Sequence, residues 1–242
     1  MKDYEPIMSF GEDVARTYDD EPRGDEDAAV AFLEELAGGG PALELAVGTG
    51  RIALPLAARG IRVDGVDISA AMVERLRAKA GGDRMSVTIG DFADVPVSGA
   101  YRLIYVVFNT FFNLLSQEEQ VRCFENVAAH LTDDGSFVIE EYSPAFLYGL
   151  RDDQHVDAES VEVDAVRLDV LRHDPAKQML DESHVSLSGT GVRLDPVVQR
   201  YAWPAELDLM ARMAGLRLKE RWDGWEREPF TGRGNAVSVY GR

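Results

Sequence analysis

The chemistry of this chain is carried by a few acidic residues placed beside glycines. Leu43 to Arg51 read LELAVGTGR, an apolar run interrupted by Glu44 and closed by Gly48-Thr49-Gly50. Asp67 closes the next apolar run, and Gly90-Asp91-Phe92 follows the one after that. The two glycines of the first run let the backbone turn tightly and approach a ligand. Glu44 is costly in a buried strand unless something pairs with it. A dinucleotide offers such a carboxylate little, whereas a cofactor with an α-amino group can meet it. Asp91 and Phe92 could take an adenine amino group and a ring face. Gly48 to Ala53 also satisfies the dinucleotide fingerprint with Ala53 in third place, and Asp67 lies 17 residues beyond Gly50, near the position of a ribose-binding acid. An NAD-dependent oxidoreductase is therefore the rival reading of the same residues.

These residues must be positioned by strand, turn and helix. The apolar patterning predicts strands at Ala42 to Val47, Ile61 to Val66, Ser86 to Ile89, Leu103 to Phe108 and Ser136 to Glu140. Helices are expected between them, with Ser69 as an N-cap and Ser116 with Glu119 as a capping box. Upstream, Glu12 to Tyr18 could form a short helix, and Asp25 can cap another that stops at Gly38-Gly39-Gly40. Strands alternating with helices predict an α/β, doubly wound, mostly parallel sheet. From Ser160 the pattern changes to a two-residue alternation through Tyr201, with a phase slip at Ala165-Val166 read as a bulge. An antiparallel meander inserted after the fifth strand is the expectation. Pro204 then opens a helix, and Leu216 to Trp222 and Ala236 to Tyr240 supply two last strands, seven in all. The organisation read from this is a helical lid over residues 1–40, a cofactor-binding domain over 41–142 and 204–242, and a β insertion over 143–203.

With these motifs in place the chain resembles the class I S-adenosylmethionine-dependent methyltransferases. Leu43 to Gly50 resembles their first motif, Val63 to Met72 (VDGVDISAAM) the second, Gly90 to Phe92 the third and Leu103 to Asn113 (LIYVVFNTFFN) the fourth. The meander is similar to that of small-molecule enzymes, amino-sugar N-methyltransferases among them. The resemblance implies a Rossmann-like methyltransferase fold and S-adenosylmethionine as cofactor. It implies that Asp67 accepts the ribose hydroxyls, that Gly48 and Gly50 bring the backbone to the cofactor, and that Glu44 sits below the methionine portion. Asp91 would hold the adenine amino group and Phe92 would wall the ring, with Ile68 and Met72 packed on the adenosine. Ala46, Phe108 and Asn113 complete the implied cofactor set. Tyr18 and Arg23 lie where related enzymes close a lid, and Arg23 could pair with the methionine carboxylate. Plain structural readings stay open: glycine-loop amides could satisfy Glu44, Phe92 could be core, and Arg23 could be a solvated loop residue.

Methyl transfer from a sulfonium is an in-line displacement that asks for alignment and desolvation, and for a base when the acceptor is a hydroxyl. Ligands in such sheets bind beyond the C-terminal strand ends, which places Asn109, Thr110, Asn113, Glu141 and Tyr142 near the reacting centre. Glu141 is the first candidate for a base or amine anchor, followed by Tyr142, and by His184 if the meander folds over the site. A nitrogen or oxygen of a small molecule is the expected acceptor. The single cysteine, Cys123, and four scattered histidines give no metal-ligand spacing, so a metal-independent route is expected. A net charge of −18 disfavours nucleic acid and anionic membranes as partners. Neither a signal segment nor a long apolar run is evident, which reads as cytoplasmic. Uncovered strands in the meander could pair between subunits, so a homodimer and a lid both stay open. A non-catalytic S-adenosylmethionine-binding protein is the remaining alternative.

Overall fold

The computed structural model describes residues 9–20 and 23–242. The expected lid over residues 1–40 therefore lies in part, at 1–8 and 21–22, outside the described residues. Two helices come first, α1 (Glu12–Thr17) and α2 (Glu26–Ala37). Asp25 does not cap α2 with its side chain. The carboxylate of Glu26 instead holds the turn before the helix, accepting from the Arg23 and Gly24 amides at 2.9 and 2.8 Å. The alternation that follows is β1 (Ala42–Leu45), α3 (Ala53–Ala58), β2 (Val63–Asp67), α4 (Ala70–Ala78), β3 (Ser86–Ile89) and β4 (Tyr101–Val106). Ser69 caps α4 by accepting from the Met72 amide at 3.2 Å. Next come α5 (Gln117–His130) and β5 (Leu131–Tyr142), with the reciprocal Ser116–Glu119 capping box at the start of α5.

Beyond β5 lie four antiparallel strands: β6 (Gln154–Val161), β7 (Ala165–Asp174), β8 (Met179–Ser188) and β9 (Gly191–Arg200). The phase slip expected to be a bulge at Ala165-Val166 is instead the end of a hairpin turn over residues 162–164. The two-residue period runs through both arms of the hairpin, so they read as one strand. The real irregularity is in β6, where the register with β7 shifts between Ala158 and Ser160. The chain closes with α6 (Pro204–Met213), which has Pro204 at its first turn, then β10 (Arg217–Trp222) and β11 (Asn235–Gly241).

One seven-stranded sheet runs in the order β10-β11-β5-β4-β1-β2-β3, and β6 to β9 form a separate four-stranded sheet. Strands β1 to β5 pair in parallel, and β11 runs antiparallel to both of its neighbours. Side chains alternate across this sheet. Leu43, Leu45, Ile104, Phe137 and Ile139 enter a core with residues of α5 and α6. Leu103, Tyr105 and Val138 enter the opposite core with α2 and α3. The antiparallel sheet turns Leu171 and Leu180 into the first of these cores, and so lies against the main body.

Candidate active site

A cavity of about 300 Å³ opens at the C-terminal ends of β1, β2 and β3. Its floor is the turn after β1, where Ala46 and Gly48 take φ of 57° and 54°. A Cβ at Gly48 would meet only the Ala46 carbonyl oxygen, at 4.0 Å, so the space in front of this glycine is unfilled. Gly50 differs: a Cβ there would fall 2.9 Å from the Leu54 side chain, so its lack of one serves helix packing. Asp67 ends β2 at the cavity wall and is buried. Its two oxygens accept from the Gly48 and Ser69 amides, each at 2.7 Å. Burial raises its carboxyl above the ordinary range, against the pull of these amides. Ile68, Met72, Phe92 and Leu114 line the apolar part, and Asp91 lines the same cavity with one oxygen held by the Ala93 amide at 2.8 Å.

The N-terminal segment straps across this opening. The Ser69 hydroxyl donates to the Phe10 carbonyl at 2.6 Å, and Ser9 donates to the Pro196 carbonyl of β9. Asp19 accepts from the Thr49 hydroxyl at 2.6 Å and pairs with Lys79 at 2.7 Å. Arg23 is clamped by Glu140, with bonds of 2.6 and 3.2 Å, and its guanidinium lies 4.1 Å from the centre of the Phe108 ring. Glu140 also accepts from the Phe108 amide at 2.6 Å and from the Trp225 indole at 3.2 Å.

A second, larger cavity of about 1080 Å³ lies between this strap, the ends of β4 and β5, and the inner face of the four-stranded sheet. Phe10, Tyr18, Thr110 and Asn113 line both cavities and so form their common mouth. The sheet side of the large cavity is polar, with Glu159, Arg167, Glu182, His184 and Gln199 on it.

A family model for a methyltransferase domain matches residues 42–135. The chain is 38% identical to the methyltransferase CcbJ of Streptomyces caelestis, covering 98% of this chain and 99% of that one, with a TM-score of 0.91. The chain belongs to the S-adenosylmethionine-dependent methyltransferases. It is also 27% identical over 197 residues to the cypemycin N-terminal methyltransferase of a Streptomyces species, covering 81% of this chain and 80% of that protein. In fold it is similar to the S-adenosylmethionine-bound amino pentose methyltransferase CalS10 of Micromonospora echinaspora, with a TM-score of 0.67 at 19% identity, covering 94% of this chain and 95% of that one.

S-adenosylmethionine is thus the cofactor of this methyltransferase, and the smaller cavity fits it. The unfilled space before Gly48, a buried carboxylate in Asp67, and an acid beside apolar walls match the needs of a ribose and an adenine. Of the expected cofactor residues, Tyr18, Ala46, Gly48, Asp67, Ile68, Met72, Asp91, Phe92 and Asn113 line this cavity. Arg23 and Phe108 line the larger one instead. Arg23 is taken up by Glu140, so the structure gives it a protein partner where the sequence offered a cofactor carboxylate. Glu44 and Gly50 line neither cavity. Glu44 accepts from the Tyr105 hydroxyl at 3.0 Å, and burial pushes its carboxyl up to about 8. Within the protein, this buried acid is partnered by the Tyr105 hydroxyl on the neighbouring strand and by the Ala53 amide.

The three candidates for proton chemistry separate in the structure. Glu141 is fully buried on the α5–α6 side of β5, where it accepts from the Ser238 hydroxyl at 3.0 Å, and it lines neither cavity. Strand alternation turns Glu140 to the strapped side and Glu141 away from it. Tyr142 lines the large cavity and donates to Gln199 at 3.0 Å. Burial pushes its phenol well above the ordinary value, so near neutrality it keeps its proton. His184 lines the same cavity, with Nδ1 held by Glu159 at 2.8 Å. Sequence reasoning missed Phe10, Leu114, Glu140 and Glu182. An acid one position from Glu141 was a visible signal for Glu140, because neighbours on a strand face opposite ways. No local signal marks Glu182 apart from Asp181, the other acid of its strand.

Proposed function

We propose that this methyltransferase transfers a methyl group to a nitrogen atom of a polar small molecule held in the large cavity. The reading rests on the common mouth: Phe10, Tyr18, Thr110 and Asn113 border the cofactor-sized cavity on one side and a polar chamber on the other. Bound S-adenosylmethionine supplies an electrophilic methyl group on a sulfonium, which leaves the protein the tasks of alignment and water exclusion. Asp67 accepts the ribose hydroxyls with lone pairs not used by the Gly48 and Ser69 amides. Asp91 takes the adenine amino group, and Ile68, Met72 and Phe92 pack on the ring. The strap from Phe10 to Asp20 serves as the lid, and the Arg23–Glu140 clamp holds its hinge end. Asn113 and Thr110 orient the acceptor at the mouth. The names of two similar proteins, an N-terminal methyltransferase and an amino pentose methyltransferase, both point to acceptors that carry an amine, which supports nitrogen. So does the seating of Glu141 away from the cavity and of Tyr142 as a donor, since a neutral amine needs positioning more than a base.

We further propose a homodimer formed through the outer face of the four-stranded sheet. That face carries Val156, Val166, Leu168, Val170, Val185, Leu187, Val192 and Leu194, with Val156, Val192 and Leu194 well exposed. Ten-residue strands in a four-strand sheet present a face of roughly 34 by 19 Å. Two copies packed face to face would bury about 1,200 Å², the lower end for a specific interface.

The experiment is a heat-denaturation series with S-adenosylhomocysteine and NADH, followed by mass spectrometry of amines, phenols and carboxylates incubated with S-adenosylmethionine. Stabilisation by S-adenosylhomocysteine alone, about 2.7 kcal/mol at a hundred times its Kd, and methylation confined to amines are expected. Turnover of phenols but not amines would overturn the nitrogen assignment.

A further inference from the structure

On the inner face of the four-stranded sheet, Glu182 of β8 stands between Leu171 of β7 and Val197 of β9, with Asp169 on the diagonal and His184 two residues along its own strand. The carboxylates of Asp169 and Glu182 and the imidazole of His184 all lie within 4.8 Å of one another. The shift in β6 between Ala158 and Ser160 inserts Glu159, and such an extra residue re-aims a side chain. Here it brings Glu159 to His184 Nδ1 at 2.8 Å and to Arg167 at 2.6 Å. Arg193 is joined to Asp195 at 2.7 Å. The cations near this patch are thus directed to Glu159 and Asp195. Among the described residues the cation that Glu182 faces is His184 Nε2, at 3.6 Å; its carboxyl also meets that of Asp169, which keeps one buried oxygen without a hydrogen bond. Three carboxylates, Glu159, Asp169 and Glu182, stand against one guanidinium and one imidazole, on the wall of a chamber that opens at the methyl-transfer mouth.

We propose that Glu182, backed by Asp169 and His184, is a specificity-determining anchor for a protonated amine of the acceptor, separate from the nitrogen that is methylated. The proposal rests on the large cavity being the acceptor chamber. A carboxylate favours the ammonium form of its partner, which has no lone pair for attack, so the anchored group and the reacting group differ. Glu182 does not line the mouth shared with the cofactor cavity, in keeping with that separation. Burial, together with the Asp169 charge, holds the Glu182 carboxyl up to about 7 while His184 pulls the other way. A bound ammonium supplies the counter-charge that this burial withholds, and Ser186 and Gln199 on the same wall offer hydrogen bonds to neighbouring hydroxyls.

Matched probes test this: D-glucosamine and D-glucose, titrated by NMR into the full chain saturated with S-adenosylhomocysteine. The wild type should bind glucosamine about tenfold more tightly than glucose, the scale of one charge-assisted hydrogen bond. Glu182→Gln should bring the two probes to equal affinity, and Asp169→Asn should narrow the gap. The S-adenosylhomocysteine melting shift, unchanged in both variants, certifies their fold. Equal binding of the two probes by the wild type, or a preference that survives Glu182→Gln, overturns the proposal. So does tight Mn²⁺ binding that is lost in both Glu182→Gln and His184→Ala, which would make the cluster a metal site. Absence of any S-adenosylhomocysteine shift in the wild type would count against the function reading instead, and the probe preference can be read without it.

Discussion

Glu44, Glu140 and Glu141 are all buried in the main sheet, and their neighbours give them different work. Glu140 receives four donors, from Arg23, the Phe108 amide and the Trp225 indole. Glu44 and Glu141 receive fewer, and burial pushes each up to about 8. Both are therefore protonated in the folded protein near neutrality, while in the unfolded chain they ionise near 4.5. The folded state binds more protons between these values, so this contribution to stability is complete below pH 4.5 and is lost as pH rises through 8. Glu44→Gln keeps an acceptor for the Tyr105 hydroxyl and cannot ionise. Thermal melts should show it close to wild type at about pH 5 and more stable at about pH 8, by on the order of a few kcal/mol. Parallel melting curves at the two pH values would discard this account of Glu44. At the cavity itself, Asp67→Ala should weaken S-adenosylhomocysteine binding by about 1–3 kcal/mol in calorimetry, because a charged acceptor is removed. Part of that loss would come through the glycine turn, which Asp67 also holds.

The elements differ in how much of their structure is local. Helix α5 is started by the Ser116–Glu119 box, whose two hydrogen bonds are 3.1 and 2.9 Å. Ser116→Ala should cost about 1 kcal/mol in urea denaturation. That box was legible because its partners lie three residues apart. The strap is the opposite case: Ser9 reaches β9, Phe10 reaches the cap of α4, and Arg23 reaches β5. Removing Arg23 leaves Glu140 buried with two of its four donors gone. Arg23→Ala should destabilise by about 3 kcal/mol, the scale of breaking a buried pair, and should raise proteolysis near residue 20. A loss under about 1 kcal/mol, as for an exposed pair, would show that the clamp does not hold the strap. The four-stranded sheet is intermediate. Its period was plain, but its first hairpin was not, because Glu162-Val163-Asp164 lacks a glycine turn and alternation continues on both sides.

At the scale of the molecule, the two sheets meet so that the inner face of one closes the chamber above the strand ends of the other. Its outer face stays apolar. Leu168→Lys with Leu194→Lys should convert a dimer to a monomer in sedimentation, with the S-adenosylhomocysteine shift retained. A wild type that sediments as a monomer would refute the interface. The resemblance carried by the motifs implied the cofactor, and the sequence by itself determined the doubly wound sheet, the glycine turn, and the acids at the ends of β2 and β3. Each is written in short-range periodicity and spacing, since a strand, a turn and a helix cap are closed by residues a few positions apart. Tertiary structure alone decided what the buried acids do. That Glu44 has a hydroxyl partner inside the protein depends on Tyr105, the side chain opposite it on β4, 61 residues away. Whether Glu140 or Glu141 faces the strap depends on the phase of one strand relative to both layers. Glu182 was unmarked in the sequence because its environment comes from three other strands and a one-residue shift in β6. Pairings between distant segments set these surroundings, and no local pattern encodes which carboxylates such a pairing brings together.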